Sequence, residues 1–254
     1  MFFYNFLLAG LAGIFISALG VFVVQRRQAL IGDSYSHIAL PGIAIALLLH
    51  FDPLIGALIF LSLSAFLINL IQFKTKIYTE TIVGLFFALS LASGILLIPG
   101  QDLESILIGN ISAVSFFDLG LGLVLVALII FLLTRYFKDL VFTTFSETLA
   151  QAEGVNLVKT NLIFLILISL SVTLGVKVAG TLLVASLLII PAATAQLISQ
   201  SLKALLTNSI VCGLSATILG LTLALIFKVP PGPVIVVFEA IAFLVAFGLK
   251  RNRI

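Results

Sequence analysis

ALIGDSYSHIALPGIAIALLL, residues 29–49, is an apolar stretch long enough to cross a membrane, and it carries Asp33 and His37 in its first half. About 20 apolar residues span the hydrocarbon core of a bilayer as an α-helix. An ionisable side chain in such a helix costs about 3 kcal/mol or more when it faces lipid. We therefore expect Asp33 and His37 to face a cavity or the interior of a helix bundle.

The composition of the whole chain also indicates that most of it lies in a lipid bilayer. Of its 254 residues, 62% are hydrophobic and only 9% are charged, with a mean hydropathy of +1.34. A soluble chain carries roughly a quarter of its residues as charged side chains. The basic residues form short clusters at the ends of apolar runs and no continuous stripe, which argues against nucleic-acid binding. The sequence thus predicts an all-α, polytopic membrane protein.

The apolar segments predict nine transmembrane helices in a single domain, residues 1–254. They lie at 6–24, 29–49, 54–71, 81–98, 116–134, 161–176, 180–199, 208–227 and 232–249. Eight spans remain if one short segment is re-entrant, and the region 161–199 is where the count is least defined. The first segment has no signal-peptide pattern and is interpreted as a retained span.

The basic residues orient these spans. If the N-terminus is outside, eleven of the thirteen lysines and arginines lie on the cytoplasmic side, as the positive-inside rule expects. Only Lys177 and Lys228 then lie outside. The C-terminus is accordingly predicted to be cytoplasmic.

The longest polar interval, residues 135–160, falls on the same cytoplasmic side. Thr144 and Glu147 have the spacing of a capping box, and Gly154 suits the end of a short helix from about 145 to 153. A short cytoplasmic helix can serve as a docking element for a soluble partner, or it can simply connect two spans.

Asp33 and His37 are four positions apart, so a helix places both side chains on one face. If the helix begins near Arg27, they lie about 9 and 15 Å along it. Carboxylate and neutral imidazole are suitable ligands for Mn²⁺, Fe²⁺ or Zn²⁺, but two ligands make an incomplete shell. A second copy across a two-fold axis would complete a set of two aspartates and two histidines. Pro41, four residues after His37, is expected to kink the helix beside the pair.

Other interpretations of the ionisable residues remain open at this stage. Asp33 could cap the second helix, with His37 a buried, hydrogen-bonded residue. Glu239 in the last span could face a pathway or pair with Lys177 or Lys228. His50 and Asp52 sit in a short outer loop, where they form a solvated turn or contribute to ion entry.

Four stretches in order resemble the permease subunits of bacterial ABC importers for zinc, manganese and ferrous iron. They are GDSYSHIALPGIAIA at 32–46, DLESILIGNISAVS at 102–115, ETLAQAEGVN at 147–156 and VKVAGTLLVASLLIIPAATA at 176–195. The resemblance implies that Asp33 and His37 bind the transported cation. It assigns ATPase coupling to Glu147, Ala150, Glu153 and Gly154. Pro41, Gly180, Pro191 and Thr194 are assigned to shaping the helices, and Thr194 is expected to bond backbone groups freed by Pro191.

The resemblance also implies the partners and the activity. The expected partners are a cytoplasmic ATP-binding-cassette ATPase, an extracytoplasmic metal-binding protein and a second permease copy, in a bacterial cytoplasmic membrane. The chain has no GxxxxGK[ST] loop, so ATP hydrolysis is expected in a separate subunit and the chain is not expected to be an enzyme. No permanently bound cofactor is expected, only the transported ion. The rival hypothesis is a proton-coupled secondary metal transporter that uses Asp33, His37 and Glu239.

Overall fold

The computed structural model describes residues 2–97, 116–179 and 181–251, and this part of the chain is almost entirely helical. Its ten helices are α1 (Phe2–Gln25), α2 (Leu30–Leu48), α3 (Pro53–Thr75), α4 (Thr79–Leu97), α5 (Phe116–Phe145), α6 (Glu147–Ala152), α7 (Leu157–Ala179), α8 (Thr181–Ile198), α9 (Leu202–Phe227) and α10 (Pro231–Arg251). The predicted all-α fold is confirmed. The motif at 102–115 and Gly180 lie outside the described residues.

Each of the nine apolar segments corresponds to one of the long helices. Among the described residues, eight of these helices are long and apolar enough to cross a membrane by length and composition. The remaining segment, 180–199, corresponds to α8, whose described apolar part is Val184–Ile198. Eight candidate spans among the described residues is one of the two counts that the sequence allowed.

The bundle has a buried centre and a lipid-facing periphery. Helices α1, α2 and α7 are more than half buried, whereas α4 and α10 are mostly exposed. Helix α1 packs against α5, α7, α8 and α9, while α2 packs against α3, α4 and α8. Large apolar side chains such as Leu63, Phe66 and Leu244 are exposed on the outside, where a bilayer is the natural solvent.

Small residues set the closest helix approaches. The Cβ that an alanine would add at Gly42 of α2 would overlap the carbonyl oxygen of Gly56 in α3, and the reverse holds for Gly56. On α1, Gly13 and Ser17 face α9, where the Ser209 hydroxyl donates to the Ser17 carbonyl at 2.7 Å. Close backbone approach of this kind is how membrane helices gain packing energy without a hydrophobic driving force between them.

Candidate metal site

Asp33 and His37 lie on one face of α2, as their spacing predicted. His37 Nε2 and Asp33 Oδ1 are 3.8 Å apart, and the two side chains are 16% and 50% exposed, respectively. Between Ile31 and Ala44, all residues of α2 are buried except Asp33, Ser34 and His37, which are partly exposed. We call these three residues the polar window of α2, and both candidate ligands belong to it.

The structure contradicts the alternative in which Asp33 caps α2 and His37 is a buried, hydrogen-bonded residue. The N-cap of α2 is Ala29, which makes no side-chain cap bond, and Asp33 lies inside the helix. The His37 ring packs edge-on against Phe87 of α4, with ring centroids 5.3 Å apart. Its Nδ1 atom is buried and has no hydrogen-bond partner in the described part of the chain. Asp33 is not a helix cap, and His37 is not a hydrogen-bonded core residue.

The backbone around the pair is held by close packing. The Ser36 hydroxyl donates to the Gly32 carbonyl at 2.9 Å, one turn before it. Pro41 is buried inside α2, and the helix continues through it from Leu30 to Leu48. Proline cannot donate to the carbonyl four residues earlier, so the His37 carbonyl loses its helical partner while the helix remains continuous.

Among the described residues, the candidate site has two ionisable donors, Asp33 and His37. Within the described residues, no group of three or more His, Cys, Asp and Glu side chains could hold a metal ion. A half-exposed carboxylate and a partly exposed imidazole can bind a divalent transition metal, and a complete coordination shell needs further ligands.

The short helix α6 lies in the interval 135–160, as expected, but its cap differs from the predicted one. Helix α5 continues to Phe145, so Thr144 is still helical, and its hydroxyl donates to the Leu140 carbonyl at 2.6 Å. The N-cap is Ser146, whose side chain accepts from the Leu149 amide at 3.2 Å. The predicted capping box of Thr144 and Glu147 is wrong because the preceding helix is longer than the polar pattern suggested.

The four candidate coupling residues differ in exposure. Ala150 is completely buried and holds α6 against the bundle. Glu147 and Glu153 are exposed, and Glu153 lies 3.5 Å from Lys138 Nζ. Gly154 ends the helix with φ +74°, and the Val155 amide donates to the Ala150 carbonyl. The carboxylates are therefore available to a partner, while Ala150 and Gly154 position the helix.

The helix-shaping residues of α8 act through a longer-range contact than the sequence suggested. Pro191 lies inside the helix and leaves the Leu187 carbonyl without its helical donor. The Ser17 hydroxyl of α1 faces that carbonyl at 3.4 Å. Thr194 instead donates to the Ile190 carbonyl at 2.8 Å. The expectation that Thr194 bonds the group freed by Pro191 is therefore wrong.

His50 and Asp52 form the turn between α2 and α3. His50 adopts φ +57°, and Asp52 caps α3 by accepting from the Leu54 amide at 2.8 Å. These residues have a defined structural role in the turn.

Glu239 is completely buried in α10, about 12 Å from the start of that helix. Ser186 of α8 and Cys212 of α9 are its polar neighbours. Within the described residues Glu239 makes no ion pair, which excludes the suggested pairing with Lys228. The side chain of Lys177 lies outside the described part.

We expect Glu239→Gln to change the free energy of unfolding by no more than about 1 kcal/mol, because it preserves the shape and a hydrogen-bonding end group. Glu239→Lys should lower it by about 3–5 kcal/mol, since it buries an uncompensated cation. Thermal denaturation of the detergent-solubilised protein measures both changes. Equal loss in the two variants would contradict this account.

The whole chain matches one family and relatives of similar length. The model of the ABC 3 transport family matches residues 1–250. The chain is 36% identical to the manganese import system permease protein ScaB of Streptococcus gordonii, covering 95% of this chain and 88% of ScaB. It is 32% identical to the high-affinity zinc uptake system membrane protein ZnuB of Haemophilus influenzae, covering 98% of this chain and 97% of ZnuB.

The fold agrees with a solved structure. PsaBC from Streptococcus pneumoniae, in complex with Fab, superposes with a TM-score of 0.84 at 36% identity, covering 96% of this chain and 89% of the matched chain. The molecule is thus a multi-pass helical membrane protein of the permease class. The chain belongs to the ABC 3 transport family.

This membership confirms the resemblance that the sequence motifs carried. The predicted localisation, multi-pass in a bacterial cytoplasmic membrane, is confirmed with it. The relatives described above give no support to the proton-coupled secondary transporter.

Proposed function

We propose that this chain is the permease subunit of an ABC importer that moves a divalent transition metal ion inward across the cytoplasmic membrane. The observation that carries the proposal is the polar window of α2, where Asp33 and His37 are partly exposed donors in a mostly buried stretch of the helix. Zinc, manganese and iron all suit this donor set. The named relatives above serve manganese and zinc, which favours these two ions.

Two copies of the chain form the transport path in this proposal. Each copy contributes Asp33 and His37, so a two-fold pair supplies two carboxylates and two imidazoles to one ion. The support for it is that one chain offers only two such donors among its described residues, and that both of these side chains are partly exposed. The partner copy is expected to be identical.

The remaining partners act at the two membrane faces. An ATP-binding-cassette ATPase docks at α6, whose Glu147 and Glu153 side chains are exposed, and an extracytoplasmic binding protein delivers the ion at the opposite face. This arrangement uses the orientation expected from the charges, with the N-terminus outside and the C-terminus cytoplasmic. ATP-driven movement of the ATPases then changes which side of the ion site is open.

We expect ATP-dependent metal uptake by proteoliposomes that contain the chain together with its ATPase and binding protein. Uptake of Mn²⁺ or Zn²⁺ should stop when ATP or the ATPase is omitted. A pH gradient imposed on vesicles with the permease alone should drive no accumulation. Accumulation under that gradient would instead establish the proton-coupled transporter and refute the proposal.

A further inference from the structure

Arg26, immediately after α1, makes an unusually complete set of contacts for a residue at the end of a membrane helix. Its Nη2 donates to Thr143 Oγ1 at 2.7 Å and its Nε donates to Thr144 Oγ1 at 3.1 Å. Its guanidinium carbon lies 4.0 Å from the ring centroid of Phe164 in α7. One side chain thus joins the ends of α1 and α5 to the side of α7.

The two threonines are positioned to accept these bonds. The Thr143 hydroxyl donates to the Asp139 carbonyl at 2.9 Å, and the Thr144 hydroxyl donates to the Leu140 carbonyl. Each hydroxyl has committed its hydrogen to α5 and presents lone pairs to Arg26. The planar fork of arginine suits two adjacent acceptors and a ring face, which the single ammonium group of lysine cannot satisfy together.

Arg26 carries its charge in this position. Burial lowers the pKa of Arg26 to about 10, and the nearby Glu147 carboxylate acts in the opposite direction. The guanidinium is therefore protonated at neutral pH. Glu147 is the first residue of α6, so the charge of Arg26 lies near the start of that helix.

A rigid turn connects Arg26 to the candidate metal ligands. The Arg27 amide donates to the Val24 carbonyl and the Gln28 amide to the Val23 carbonyl, each at 3.0 Å, and Arg27 has φ +58°. This is the Schellman pattern of helix termination. Helix α2 begins at Leu30, and Asp33 follows Arg26 by seven residues. A displacement of Arg26 therefore shifts the start of the helix that carries the ion ligands.

We propose that Arg26 is the positioning residue that couples the ATPase-docking helix α6 to the metal-binding helix α2. Its hydrogen bonds to Thr143 and Thr144 tie it to the end of α5, which is followed by α6 after one residue. A movement of α6 would therefore displace Arg26, and the turn at Arg27 would pass that displacement to α2. The inference rests on the proposed function, because it assumes that α6 receives the ATPase and α2 holds the ion. The transported ion is the same divalent transition metal as in the proposed function.

The test uses the full complex of permease, ATPase and binding protein in proteoliposomes, with Mn²⁺ or Zn²⁺ as the probe. We expect Arg26→Lys to retain ATP hydrolysis while the metal transported per ATP falls at least tenfold, because the charge remains but the fork is lost. The variant Thr143→Val with Thr144→Val removes the acceptors and should show the same loss. Adding Arg26→Lys to it should cause little further loss, since both changes break one interaction.

Arg27→Lys is the matched control, because the turn uses only the backbone of Arg27, which lysine preserves, and the Arg27 side chain is exposed. It should leave metal transport per ATP at the wild-type value. A wild-type ratio in both Arg26→Lys and the double threonine variant would overturn the inference. So would a proportional fall in transport and ATP hydrolysis with a lowered melting temperature, since a purely structural anchor predicts that result. Absence of ATP-driven uptake by the wild-type complex would instead overturn the proposed function.

Discussion

Replacing either Asp33 or His37 with alanine should lower metal uptake by more than about 100-fold while the protein still accumulates in the membrane. Loss of a residue that only supports a metal ligand costs about 10–100-fold in metal affinity, and here a ligand itself is removed from both copies. In the described structure neither side chain makes a hydrogen bond, and the nearest approach of His37 Nε2 to Asp33 Oδ1 is 3.8 Å. Uptake of radioactive Mn²⁺ or Zn²⁺ by cells with the complete importer measures the effect.

Ser34→Ala is the control for this experiment. Ser34 lies beside Asp33 in the same polar window of α2 and is also partly exposed, but its hydroxyl is a weaker ligand for these ions than a carboxylate. Uptake should stay near the wild-type level. Normal uptake in Asp33→Ala and His37→Ala, at normal membrane abundance, would show that the pair does not bind the transported ion.

The second large effect concerns the contact between α2 and α3. We expect Gly42→Ala to lower the free energy of unfolding by on the order of 3 kcal/mol, because the new methyl group would overlap the Gly56 carbonyl. The backbone of α3 cannot yield as a flexible side chain would. Since α2 carries Asp33 and His37, the same change should also reduce uptake.

Gly84→Ala in α4 is the opposite case. A Cβ at Gly84 would meet no atom within 4 Å, and replacing glycine by alanine in a helix interior stabilises by about 0.5–1 kcal/mol. The melting temperatures of the two variants should therefore move in opposite directions. A Gly42→Ala protein as stable as wild type would contradict the close approach of α2 and α3.

Much of the fold follows from local sequence. The apolar segments predicted the nine long helices of the described residues, eight of which are long and apolar enough to cross a membrane. They could do so because a spanning helix satisfies its own backbone and needs about 20 apolar residues in succession. The face shared by Asp33 and His37 followed from helical periodicity alone.

The partners of these elements could not be predicted in the same way. Ser17 contacts α8 and α9, from which it is separated by 170 or more residues. Arg26 resembles any basic residue at the end of a span, and its acceptors lie 117 and 118 residues further along the chain. The local pattern at Thr144 predicted a helix cap, but α5 continues past this residue to Phe145. Helix α5 packs against α1 and α7, and the local pattern does not contain that information. No short-range signal identifies such contacts.

The sequence by itself determined that this protein is a bundle of membrane helices with an aspartate and a histidine on one face of the second. Hydropathy and helical periodicity are properties of consecutive residues, so they require no knowledge of the rest of the fold. Only the tertiary structure decided that Asp33 and His37 stay partly exposed while most of α2 between Ile31 and Ala44 is buried. It also decided that Glu239 is completely buried and that Arg26 joins α1 to the end of α5. Exposure and long-range contact depend on which helices pack together, and close packing of small residues from distant segments fixes that arrangement.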